Sequence, residues 1–185
     1  QMVANRKKCT MEEQNRALFL TNNKNKKVSQ SMFKILEFMV PSFLILPMLR
    51  HSQNPGASLH ELSYSFDCAS VLFIAFDGFD DIVAQSTPPE ILQFLNKFYH
   101  RFDALCLHKH VTKIETVAEE YVCAVGVEPG ENAKVEDGLC NLISFAREVL
   151  SYGEASFKMG MHTGPVIAGV IGNKLPSYRL FGNTV

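Results

Sequence analysis

The chain has 185 residues, 46% of them hydrophobic and 20% charged, with a net charge of −1. That balance suits one folded domain with an appendage, and it excludes both a disordered acidic or basic tail and a polycation built for nucleic acid or anionic membrane. The five cysteines, Cys9, Cys68, Cys106, Cys123 and Cys140, are odd in number and lack metal-ligand spacing, which points to reduced core thiols in a cytosolic setting.

The first 28 residues are polar and basic and show no periodicity, so they read as a flexible tether. Residues 29–50 read as a connecting segment. Within it a short helix runs from Ser29 or Ser31 through Phe38, with Met32, Ile35, Leu36 and Met39 on one face, and Pro41 disturbs it. The apolar run Leu36–Leu49 is broken by Pro41 and Pro47 and falls short of the ~20 residues of a spanning helix. No signal peptide is visible. Residues 51–65 read as a linker, and residues 66–185 as the main domain, apparently cut from a longer polypeptide because Val185 falls inside an unfinished motif.

Val71 to Phe76 is a near-continuous apolar run fit for a buried strand, ended by Asp77, Gly78 and Phe79. Thr87 and Glu90 form a capping box with Pro88 in the first turn. The helix they open carries Ile91, Leu92, Leu95, Phe98, Phe102 and Leu105 at spacings of three and four and runs to about His108. Two strands follow, Val111–Val117 and Tyr121–Val127, joined by a tight turn at Ala118, Glu119 and Glu120. A second helix spans about Ala133–Ser151 with Leu139, Leu142, Ile143, Ala146 and Leu150 inward, and a strand Phe157–Met161 comes next. This order, strand, helix, strand, strand, helix, strand, is a ferredoxin-like α+β layout with helices on one face of an antiparallel sheet.

Local sequences narrow that widely shared layout. The stretch Phe157-Lys-Met-Gly-Met-His-Thr-Gly-Pro-Val-Ile-Ala-Gly-Val-Ile-Gly172 resembles the strand and glycine-rich turn of class III adenylate and guanylate cyclases. Tyr178-Arg-Leu-Phe-Gly-Asn-Thr-Val185 is similar to the segment that follows it. Val71-Leu-Phe with Gly78 and Phe79, Asn96, Phe102-Asp103, Lys113-Ile-Glu-Thr-Val117 and Tyr121 match in the same order, so the resemblance covers residues 66–185.

The resemblance implies a dimeric domain that makes a cyclic nucleotide from a triphosphate. The ribose 3′-hydroxyl attacks the α-phosphorus, and pyrophosphate leaves. Two magnesium or manganese ions, held by two aspartates of one subunit, activate the hydroxyl and neutralise the phosphates. The other subunit gives the base-reading residues and a transition-state Asn and Arg, which in the family follow the stretch ending here at Val185.

The sequence departs from that pattern at the metal. The first metal position is Ala75, which cannot ligate a cation. The second is Glu119, a weak candidate because its extra methylene moves the oxygens outward, and it follows Ala118 where the family has glycine. Asp77 shares strand parity with Ala75 and is a weak substitute ligand, with Asp80 and Asp81 near in sequence; a solvated turn is the plainer reading of those acids.

Base recognition is half preserved. Glu115 stands where guanylate cyclases carry glutamate and adenylate cyclases lysine. A carboxylate accepts from guanine N1–H and N2–H, whereas adenine has no donor at N1. The partner position is Arg179, which either donates to guanine O6 or pairs with Glu115 and fills the pocket. Gly78 and Phe79 match a turn whose backbone amides face the triphosphate in the family. Gly164, Gly169 and Gly172 read as tight turns that shape the dimer surface, His162 as a packed core residue and Lys113 as a solvated strand charge.

These expectations give two main functions. In the first, the domain is the metal-poor half of a guanylate cyclase dimer, taking GTP rather than ATP, with Mg or Mn held by a second cyclase domain. The Asn183 ending, where Asp is the alternative, resembles such a half. In the second it is a pseudo-cyclase that regulates a partner through its dimer surface. An RNA-recognition module shares the strand order but lacks a basic face and an aromatic platform strand. The location expected is cytoplasmic, either free or as the cytosolic portion of a membrane-bound parent.

Overall fold

The computed structural model describes residues 2–53, 62–130, 135–172 and 176–185. In chain order the elements are α1 (Met2–Met39), α2 (Ser42–Ser52), β1 (Ser63–Phe76), α3 (Phe79–Gln85), α4 (Pro88–Lys109), β2 (Thr112–Val117), β3 (Glu120–Val125), α5 (Val135–Leu150), β4 (Phe157–Ile171) and β5 (Ser177–Phe181). The five strands form one antiparallel sheet in the order β2-β3-β1-β4-β5. Its first four strands have the ferredoxin-like order, and β5 extends it beside β4.

Alternation along the strands sorts their side chains onto two faces. Leu72, Ile74, Phe76, Tyr121, Cys123 and Val125 face α4 and α5, packing on Phe98, Phe102, Leu105, Leu142, Phe145 and Val149. Phe76 is the hub of this side, its ring meeting Phe79, Phe94, Phe98, Tyr99 and Phe157 at centroid distances of 5.0–6.3 Å. The opposite face carries Ala69, Val71, Val122, Ala124, Val166, Ala168, Val170 and Tyr178.

Several elements differ from the sequence reading. Residues 2–28, expected as a tether, are helical and continuous with the short helix expected after them. In that helix Phe33 and Leu36 are partly buried while Met32 and Ile35 are exposed, the Met39 side chain lies outside the described residues, and Val40, at the break before Pro41, is buried. The 51–65 linker is interrupted at both ends, by α2 reaching Ser52 and by β1 starting at Ser63, and its 54–61 portion lies outside the described residues.

Helices were expected on one face only. Instead α2 covers the second face, burying Leu44 and Ile45 and setting Phe43 edge-on to Tyr178 at 5.6 Å. An antiparallel sheet with two apolar faces needs a cover on each.

In α4 the capping Glu90 accepts from the Thr87 N–H and hydroxyl, each at 2.7 Å, and those bonds hold its carboxyl below the usual range. Leu92, expected inward, is exposed. In α5 the buried stripe is Leu142, Phe145 and Val149, so Ile143 and Leu150 face out; the larger Phe145 ring takes the core. The glycine-rich stretch is not a turn. Gly164 and Gly169 lie within the long strand β4, and of the three only Gly172 turns the chain, at φ 92°. Their small size serves close approach instead: a Cβ at Gly164 would stand 2.7 Å from Thr184 Oγ1.

Candidate functional site

β1 brings Ala75 to the edge of the second face, in register with Glu120 on β3 and Lys158 on β4. Cross-strand partners share a face, so an acid and an ammonium flank the methyl where the resemblance places a metal-binding carboxylate. Asp77, just past the strand end, gives its carboxylate to Lys158 at 2.7 Å, and this pairing raises the lysine pKa. Gly78 follows in the left-handed conformation, φ 71°, and starts α3. Its carbonyl takes the Asp81 and Ile82 amides, and the first turn that Phe79 opens bears Asp80 and Asp81. Phe79 leans on Phe76 rather than projecting freely.

The β2–β3 hairpin closes with Ala118 and Glu119 between the strands. Ala118 adopts φ 52°, a left-handed conformation that a side chain resists by about 1–2 kcal/mol. Tyr99 of α4 steadies this turn by donating its hydroxyl to the Ala118 carbonyl at 3.0 Å. Burial, then the charges of Glu119 and Glu120, push that hydroxyl up to about 12, so it remains a donor at neutral pH.

These positions do not fit a divalent cation. Ala75 has no donor atom, Asp77 is engaged by Lys158, and among the described residues no three His, Cys, Asp or Glu side chains converge. Hard cations need several oxygens at once.

The two positions expected to read the base do come together. Glu115 sits on β2 and Arg179 on β5, the two outer strands of the order, and the guanidinium is ion-paired with Glu115 Oε2. The arginine is half exposed, whereas Oε2 is buried. The contact is a direct ion pair on the buried oxygen of Glu115.

Several residues were misread or missed. Lys113, expected as a solvated charge, reaches back to Asp103 of α4, with Nζ 2.7 Å from Oδ1 and 2.9 Å from Oδ2. Tyr121 donates its hydroxyl to the same carboxylate at 2.7 Å and touches Cys106 Sγ at 3.3 Å. Burial pushes the Tyr121 hydroxyl far above its ordinary value, which keeps it protonated. His162 is exposed, not packed. Of the cysteines, Cys106 and Cys123 are core thiols, while Cys68 and Cys140 are exposed. The ten-residue spacing of Lys113 and Asp103 across a helix end was the signal available for that pair.

A cleft of about 760 Å³ opens at the other end of β1, lined among others by Asp67, Cys68, His110, Glu128 and Asp137. Among the described residues no single helix is long and apolar enough to cross a membrane.

Residues 62–185 match the family model described as the adenylate and guanylate cyclase catalytic domain. The chain is 34% identical over 164 residues to guanylate cyclase 2D of Rattus norvegicus, covering 82% of this chain and 14% of that protein. It is 35% identical over 130 residues to atrial natriuretic peptide receptor 2 of Homo sapiens, covering 65% of this chain and 12% of that protein. Among solved structures, the guanylate cyclase domain of RhGC from Catenaria anguillulae in complex with GTP superposes with TM-score 0.60 and 25% identity, over 66% of this chain and 70% of that one. The chain belongs to the adenylate and guanylate cyclase catalytic domain family.

Proposed function

We propose that this domain is the guanine-reading, metal-poor half of a guanylate cyclase dimer that forms cyclic GMP from GTP on the cytosolic side of its parent protein. The observation that carries the reading is the pairing of the buried Glu115 carboxylate oxygen with the half-exposed Arg179 guanidinium, an acceptor beside a donor. Guanine presents N1–H and N2–H donors next to its O6 acceptor, which matches an acceptor beside a donor. Adenine presents the reverse, so each group would face its like and be left unpaired, at ~1–3 kcal/mol each.

In this reading the chain holds and orients the base. The 3′-hydroxyl gives up its proton as its oxygen attacks the α-phosphorus and the bond to pyrophosphate breaks; magnesium or manganese, which the partner half would hold, would lower the pKa of that hydroxyl and neutralise the phosphates. That partner is a second cyclase domain, in the same or another chain. The exposed Ile167 and Phe181, paired across β4 and β5, together with exposed Ile171, offer an apolar surface for it.

A second reading has one observation in its favour. If the Arg179–Glu115 pair fills the base pocket permanently, the domain is a pseudo-cyclase acting only through its dimer surface. Mixing this chain with a metal-competent cyclase half and assaying GTP and ATP cyclisation with manganese and magnesium separates the two. Cyclic GMP in the mixture alone, abolished by Glu115→Ala, is expected. A formed dimer that stays silent would leave the pseudo-cyclase.

A further inference from the structure

The β2–β3 hairpin holds an irregularity next to Glu115. From the turn the pairs run Val117↔Glu120, Thr116↔Tyr121 and Glu115↔Val122, and then the register slips to Lys113↔Cys123. Ile114 is the extra residue of a β-bulge. Regular pairing would continue with Ile114 opposite Cys123 and Lys113 opposite Ala124. Ala124 lies on the second face, with Val122 and Glu115. Lys113 would then share a face with Glu115 two residues away, ~7 Å along the strand, within reach of a lysine side chain.

The bulge prevents this. Lys113 turns to the helix-covered face, where Cys123 and Tyr121 point, and Ile114 packs into the second core. What holds Lys113 there is Asp103, whose carboxylate also takes the Tyr121 hydroxyl, with the ammonium 5.3 Å from the Tyr121 ring centroid.

We infer that Asp103 is a positioning residue for base recognition: by drawing Lys113 through the sheet it keeps a second cation away from Glu115, which is left to Arg179 and to the base. The inference rests on Glu115 as the base reader, but its structural half can be tested without nucleotide. The Arg179 side-chain N–H signals in the NMR spectrum of the 185-residue chain report its pairing with Glu115.

In Asp103→Asn the amide oxygen still accepts from Tyr121 while the charge holding Lys113 is gone. Arg179 signals are expected to shift toward those of a free guanidinium, and fluorescent GTP-analogue affinity to fall about threefold to fivefold, the scale of one partly exposed competing ion pair. Adding Lys113→Met should restore both, because the competitor is then removed. A merely structural role of Asp103 would not be rescued by deleting its partner. Lys113→Met alone, which keeps Asp103 and Tyr121 and needs no refolded hairpin, should leave Arg179 signals in place. Unchanged signals in Asp103→Asn, a loss that Lys113→Met fails to rescue, or displaced signals in Lys113→Met alone would each overturn the inference. If the unaltered chain binds no GTP analogue even with manganese and a metal-competent cyclase half present, the functional reading fails, and the Arg179 signals still decide the role of Asp103.

Discussion

Arg179→Ala separates the two uses of the arginine because they move GTP affinity in opposite directions. The ion pair to Glu115 is half exposed on the arginine side, so its own contribution to stability is only about 0.2–1 kcal/mol. The fold should survive, with a drop in Tm of about 1–4 °C for a chain of this size. If the guanidinium donates to guanine O6, removing a charged hydrogen bond costs about 1.5–3 kcal/mol of binding, roughly 10–150-fold in Kd. If it only plugs the pocket, its removal frees the buried Glu115 oxygen for the base, and binding tightens. Titration with a fluorescent GTP analogue in the presence of manganese and a metal-competent cyclase half measures the sign. Weakened GTP binding is expected, with ATP binding tightened because a donor no longer faces the adenine amino group. Tighter GTP binding, or an equal change for both nucleotides, would refute the donation argument and favour the plugged pocket.

The remaining predictions concern the frame and the lost cation site. Leu44→Ala should cost about 2–5 kcal/mol, seen by chemical denaturation, because Leu44 is fully buried between α2 and the second face. A loss below 1 kcal/mol would mean that α2 does not cover the sheet in solution. Gly164→Ala should cost about 1–3 kcal/mol, since its Cβ would stand 2.7 Å from the Thr184 hydroxyl that donates to the Pro165 carbonyl at 2.8 Å. Adding Thr184→Ala should recover most of that loss. Ala75→Asp combined with Glu119→Asp should give measurable manganese binding by electron paramagnetic resonance where the unaltered chain gives less. No gain, with circular dichroism unchanged, would show that Lys158 and the hairpin geometry exclude the ion independently of the missing carboxylate.

How far the sequence foretold this structure depended on whether one interaction or several decided each feature. The α4 start was legible because Thr87, Pro88 and Glu90 are contiguous and act locally. The sheet order followed from the element order. The core stripes of α1 and α5 were legible in part: Leu36, Leu142 and Ala146 face inward as expected, but Ile143 stood in for Phe145, because both satisfy three-and-four spacing and only the neighbouring strands choose between them. The second-face role of α2 was hidden by Pro41 and Pro47, which made a helical segment read as its interruption. The glycines of β4 suggested turns, and their real constraint, room for Thr184 and Ser63, is a tertiary fact. At the site, Ala75 and Glu115 could be located by motif. That Asp77 is spent on Lys158, and that Arg179 meets Glu115 from the far edge of the sheet, required the register.

The two faces of the sheet divide the work. The helix-covered face holds the aromatic cluster around Phe76 and Phe102 and supplies most of the large buried rings. The second face carries Ala75, Glu115 and Glu120, all set by strand parity or by the Ile114 bulge. Alanine in place of a carboxylate at position 75 therefore removes nothing from the larger core, because a side chain on the second face contributes no packing to the first. The same separation lets Glu115 and Arg179 keep a polar, partly wet contact while Phe76, one residue from Ala75, is almost fully enclosed. Under the proposed function, a domain built this way could lack a cation site and keep the Glu115–Arg179 pair and its fold, which is the condition for one half of a dimer to specialise.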